Sequence, residues 1–126
     1  MRPNIVIFMM DQLSARWLEQ ASYGVCATPN FDRLRAGGVV FPSAFTSNPV
    51  CCPARATMAT GLSTRNHGVL QNGYCLDPKL PTFMRILQQE GWRTGCFGKL
   101  HLRPHYAGLR PDYAVYGFDE THITED

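Results

Sequence analysis

The sequence predicts an α/β fold with a mostly parallel sheet flanked by helices, and three observations lead there. An unbroken apolar, β-rich run near the N-terminus ends in an acid. Strand-length apolar runs alternate with helix-length stretches. The helices carry proline near their starts and glycine at their ends. Strands buried on both faces of a parallel sheet read as continuous apolar runs, and strand-helix-strand order provides the crossovers that parallel pairing needs.

Residues 4 to 10, Asn4-Ile5-Val6-Ile7-Phe8-Met9-Met10, form the first expected strand, with Asp11 at its carboxyl end, where such sheets place ligands. Thr28 caps a helix with Pro29 at its first position and Phe31 and Leu34 on one side, running to about Arg35 and stopped by Gly37-Gly38. Val39-Val40-Phe41 and Ala44-Phe45 give a second strand, edged by Pro42, that leads into the polar stretch Thr46-Ser47-Asn48-Pro49. A second helix is expected to start at Pro53 and end at Gly61, which sets Cys51 just before a helix N-terminus. Phe83, Met84, Ile86 and Leu87 share helical spacing between Pro81 and Glu90, and a strand follows at about Arg93 to Phe97. The remainder from Arg103 is rich in Pro, Gly, Tyr and charge, without strong periodicity. Three strands are few for a doubly wound sheet, so the chain reads as part of one.

Composition narrows the function classes. With 126 residues, 44% hydrophobic and 17% charged, the chain has the makeup of one small folded domain. A net charge of +2 with scattered basic residues argues against a nucleic-acid partner. Five cysteines (Cys26, Cys51, Cys52, Cys75, Cys96) match neither a zinc framework nor a disulfide scaffold, so a reducing compartment is expected. No apolar run reaches membrane-spanning length and no cleavage site follows the first one, which sets the expectation of a soluble, cytoplasmic chain with no membrane partner.

The most specific feature is Cys51-Cys52-Pro53-Ala54-Arg55 with Thr60-Gly61 after it. It resembles the type I sulfatase signature Cys-x-Pro-x-Arg, in a register that selects Cys51 over Cys52. Asn4 to Gln12, Thr28 to Leu34, Gly38 to Phe41, Asn66-His67-Gly68-Val69 and Gly91 to Leu102 resemble further blocks of the same family in the same order. Tyr116-Gly117-Phe118-Asp119 resembles a segment that follows the family's Lys-x-His block. The resemblance implies a partial alkaline-phosphatase-like sandwich and a sulfuric ester hydrolase. It also implies oxidation of Cys51 to formylglycine by a formylglycine-generating enzyme, and a divalent metal, Ca²⁺ first, with Mg²⁺ or Mn²⁺ as alternatives.

By that resemblance Asp11, Gln12 and the modified Cys51 are metal ligands, Cys51, Arg55, Lys99 and His101 are catalytic, and Asn72 and His67 bind substrate. The residue types suit those roles. A helix N-terminus favours a tetrahedral anion, a guanidinium presents a rigid fork to oxyanions, and carboxylate and amide oxygens suit a hard cation. A formylglycine hydrate carries two hydroxyls, one to attack sulfur and one to release sulfate by collapse to the aldehyde. Lys99 and His101, two apart, reach one side if their segment is extended. Read singly, Cys51 is a small buried hydrophobe, Asp11 a capping acid, and Lys99 and His101 surface groups.

Where many sulfatases have two successive acids, this chain has Asp11-Gln12, as in choline-sulfatase-like and phosphonate-monoester-hydrolase-like members. Family members are several times longer, and the rest of their metal site lies downstream, so residues 1 to 126 are expected to be the N-terminal portion of a catalytic domain. Three readings stand: a sulfate ester hydrolase segment; a phosphonate monoester or phosphodiester hydrolase on the same fold; and a non-catalytic fragment. The substrate is a small-molecule ester in the first two, and a homo-oligomer is open. His105 and His122 carry no assignment.

Overall fold

A computed structural model describes residues 2–16, 18, 27–104 and 111–124. Cys26, His105 and the terminal Glu125-Asp126 lie outside the described residues. The chain divides into two compact units, Met1–Ala44 and Phe45–Asp126.

In the first unit the expected helix forms as α1, Pro29–Gly37. Proline opens it because its missing N–H falls among the donors that have no partner in any first turn. Thr28 occupies the cap position without a side-chain capping bond. The two strands read here do not form: residues 4 to 10 and 39 to 45 have no strand structure, and Phe8 is 86% exposed. Composition suits a buried strand, but a strand exists only when a neighbour accepts and donates along its ladder. Among the described residues, strand pairing is confined to the second unit.

That unit holds α2 (Cys51–Thr60), α3 (Thr64–His67), α4 (Phe83–Gln89), β1 (Gly95–Gly98), a 3₁₀ turn (Ala114–Tyr116) and β2 (Glu120–Ile123). β1 realises the strand expected at Arg93 to Phe97, and β2 pairs with it in parallel, Gly95 opposite Glu120 and Gly98 opposite Ile123. β2 arises from the aperiodic tail: four residues are too few for an alternation to be legible. The architecture is therefore mixed α/β with a two-stranded parallel sheet. No helix among the described residues is long and apolar enough to cross a membrane.

Cys52, Arg55, Ala56 and Ala59 recur at the three- and four-residue spacing of one helix face, and all four are buried. Cys52, Ala56 and Ala59 pack in a core with Val69, Leu76, Met84, Leu100, Leu102, Tyr113, Tyr116 and Phe118. Thr82, rather than Pro81, starts α4, its hydroxyl accepting from the Arg85 N–H. That hydroxyl also donates to Tyr116 O at 2.6 Å, and the Arg85 guanidinium donates to Pro78 O and Val115 O. The buried Tyr116 hydroxyl donates to Leu76 O at 2.6 Å, and desolvation pushes its pKa to about 12, so it remains a donor.

Asp119 joins α4 to β1 and β2. Its carboxylate accepts from the Thr94 N–H at 2.7 Å and from Gln88 Nε2 at 2.7 Å. The Thr94 amide first, then Gln88 and the Thr94 hydroxyl, hold its pKa below the ordinary carboxylate value. A depressed folded-state pKa contributes stability that is present above the unfolded pKa and is lost as pH falls through the folded one. Urea midpoints should therefore drop on acidification in the wild type, with a shallower acid limb in Asp119→Asn. Superimposable limbs would remove Asp119 from the acid response.

Candidate active site

α2 starts at Cys51, two residues before Pro53, with Val50 as an extended N-cap at φ −89° and ψ 142°. Cys51 is thus the first helical residue rather than the one before the helix. Proline is compatible inside the first turn because an N–H there has no helical acceptor to lose. Gly61 closes the helix in the left-handed region at φ +69°, its N–H returning to Thr57 O at 2.7 Å.

The two adjacent cysteines have opposite environments. Cys51 is half-buried, whereas Cys52 is wholly buried and its thiol donates to Tyr74 O at 3.4 Å. Neither is in a disulfide. Helical geometry causes the split, since neighbouring positions point about 100° apart and only Cys52 shares the core face with Ala56 and Ala59. The Cys52 N–H donates to Asn72 Oδ1 at 3.0 Å, so a side chain twenty residues away caps the helix where Val50 cannot. No acid sits in the first turn to offset the positive end of the helix dipole.

Arg55 lies one turn along on the buried face, 6% exposed, and its Nη1 donates to Lys99 O at 2.7 Å. This bond joins the motif helix to the segment after β1, so the fold brings Cys51, Arg55, Asn72 and the Lys99 backbone into one neighbourhood. β1 stops at Gly98, φ +100°, and His101 has φ +50°, so the extended segment assumed for Lys99 and His101 is not regular strand. Leu100 and Leu102 enter the core, while the alternate positions Lys99 and His101 are half-buried.

His67 closes α3 and is 5% exposed. Its Nδ1 accepts from the Val69 N–H at 3.1 Å and its Nε2 lies 3.0 Å from Thr57 Oγ1. Desolvation lowers its pKa against a smaller backbone hydrogen-bond effect, which favours the neutral ring. Ser47 Oγ extends the chain, 2.8 Å from Thr57 Oγ1. No sequence signal marks Ser47 or Thr57, because nothing local relates two hydroxyls ten positions apart.

Asp11 and Gln12 belong to the first unit, in a turn where Gln12 has φ +57°. Among the described residues, Gln12 and His101 are the non-glycine positions with positive φ, and both were singled out from sequence. Such backbone costs about 1–3 kcal/mol and concentrates at functional sites. Among the described residues, no three His, Cys, Asp or Glu side chains gather as a metal cluster. The Asp11 carboxylate and Gln12 amide carbonyl fit a hard cation in donor type, and alone they would fall short of the six to eight oxygens that Ca²⁺ takes.

The sulfatase family model matches residues 3–123. Arylsulfatase K of Rattus norvegicus is 37% identical over 98 residues, covering 78% of this chain and 17% of that protein. The solved structure of BT4656 in complex with its substrate D-glucosamine-2-N,6-O-disulfate superposes with a TM-score of 0.66 at 30% identity, covering 80% of this chain and 19% of that one. Phosphonate monoester hydrolase of Agrobacterium radiobacter gives a TM-score of 0.65 at 30% identity, with 79% and 21% covered. The chain spans about a fifth of the length of these proteins. With a family model running through nearly all of its residues and the Cys-x-Pro-x-Arg segment forming the first turn of a helix, the chain belongs to the sulfatase family.

Proposed function

We propose that this chain is the N-terminal catalytic segment of a sulfuric ester hydrolase acting on a small-molecule sulfate ester, with Cys51 as the precursor of a formylglycine nucleophile. The observation that carries the reading is the first turn of α2, where a half-buried Cys51 begins the helix and a buried Arg55 stands one turn on. The positive end of the α2 dipole, with no acid in its first turn, favours an anion at that position. A formylglycine hydrate made from Cys51 would supply the nucleophilic oxygen, and Asp11 and Gln12 offer oxygen donors of the kind that a divalent cation such as Ca²⁺ takes. Arg55 holds the Lys99 carbonyl and so sets where Lys99 and His101 approach, as cationic and proton-carrying groups for the sulfate and its leaving alcohol.

The tryptic peptide containing Cys51 tests this. After co-expression with a formylglycine-generating enzyme, its mass should show thiol converted to aldehyde at Cys51 and not at Cys52. A peptide that keeps both thiols would defeat the proposal.

A second reading, phosphonate or phosphodiester hydrolysis at the same site, is favoured by Gln12 in place of a second acid and by the likeness to phosphonate monoester hydrolase. Relative turnover of aryl sulfates and aryl phosphonates by a catalytically complete protein carrying this segment separates the two.

A further inference from the structure

Ser47 stands four residues before Cys51, and its hydroxyl begins a chain that ends at a backbone amide. Ser47 Oγ is 2.8 Å from Thr57 Oγ1, which is 3.0 Å from His67 Nε2, while the Val69 N–H donates to His67 Nδ1. An amide N–H only donates, so Nδ1 must accept and the neutral ring carries its proton on Nε2. Nε2–H then donates to Thr57 Oγ1, and Thr57 shares a hydroxyl–hydroxyl hydrogen bond with Ser47 in which either can donate.

The segment from Thr46 to Val50 is tied internally, so a tether at Ser47 is felt at Cys51. Thr46 Oγ1 donates to Asn48 O at 2.7 Å, and Asn48 Oδ1 accepts from the Val50 N–H at 2.8 Å. Val50 is the N-cap of α2. We infer that Ser47, Thr57 and His67 form a positioning chain that fixes the backbone entering Cys51, with His67 acting through Thr57 and Ser47 rather than on substrate. The inference rests on the reading of Cys51 as the nucleophile position. It assigns positioning roles to two hydroxyls that the motif does not mark.

The test uses the whole 126-residue chain produced without a maturation enzyme, so that Cys51 remains a thiol. Iodoacetamide alkylation of Cys51 is measured by peptide mapping relative to the exposed Cys75, with urea midpoints recorded for every variant. Ser47→Ala and Thr57→Val should each free the first turn and raise the Cys51-to-Cys75 rate ratio about threefold or more, a size set by the net worth of one hydrogen bond. Thr57→Ser should keep the wild-type ratio, and the double variant Ser47→Ala/Thr57→Val should match the single ones, since both cut one chain. An unchanged ratio, whatever happens to stability, overturns the inference, as does a Thr57→Ser ratio equal to that of Thr57→Val or additive single effects. Ser47 is exposed, so its alanine variant keeps the test available even if Thr57→Val fails to fold. Failure of Cys51 to mature would defeat the functional reading while leaving this rate ratio measurable.

Discussion

Gly117→Ala is expected to destabilise the second unit by about 3–5 kcal/mol, enough to unfold a marginal domain. Gly117 lies in the left-handed region at φ +93°, where an L side chain is strained. A Cβ there would also sit 2.4 Å from both the Cα and the N of Arg85, at the start of α4. Those atoms belong to a backbone fixed by Thr82, whose hydroxyl accepts from Arg85 N and donates to Tyr116 O, so no flexible group can give way. Equilibrium urea denaturation reads the effect. Gly37→Ala in α1 is the control: nothing lies within 4 Å of its Cβ position, so it should be neutral or slightly stabilising. If Gly117→Ala unfolds with a wild-type midpoint, the close approach of the 3₁₀ turn to α4 is wrong.

Arg55→Ala should cost about 2–4 kcal/mol and also release the segment after β1. The guanidinium is buried on the core face of α2, and its truncation leaves both a void and a Lys99 carbonyl without the Nη1 donor. Lysine is a poor substitute because an ammonium on a flexible stem lacks the planar fork. Hydrogen exchange should therefore accelerate locally at residues 99 to 102 in both Arg55→Ala and Arg55→Lys, ahead of any global change. Unaltered protection there in the alanine variant would show that Arg55 does not hold the Lys99 segment.

The two variants bear on how the sequence relates to the site. Pro29, Gly61 and the run from Phe83 to Leu87 are local signals, and the helices they mark form within two residues of their expected bounds, because capping and breaking are decided by nearest neighbours. The spacing to Pro53 and Arg55 is likewise local, and it sets Cys51 rather than Cys52 in the first position of the Cys-x-Pro-x-Arg segment. In the structure Cys52 is buried and Cys51 half-buried.

Other features had no local signal. Residues 4 to 10 have the composition of a buried strand yet stand without ladder partners, whereas the unremarkable stretch Glu120–Ile123 is a strand because β1 lies beside it. Strand identity is a property of pairs, and pairing over long sequence separations is invisible to periodicity. Asn72 as the cap of α2, the Arg55 bond to Lys99 and the chain from Val69 through His67 and Thr57 to Ser47 are long-range in the same sense. The sequence by itself determined the family, the place of the Cys-x-Pro-x-Arg segment and the helices, because spacing and caps are local. Only the tertiary structure decided which polar groups hold that position in place, because a hydrogen bond between distant residues exists only once the core has brought them within about 3 Å.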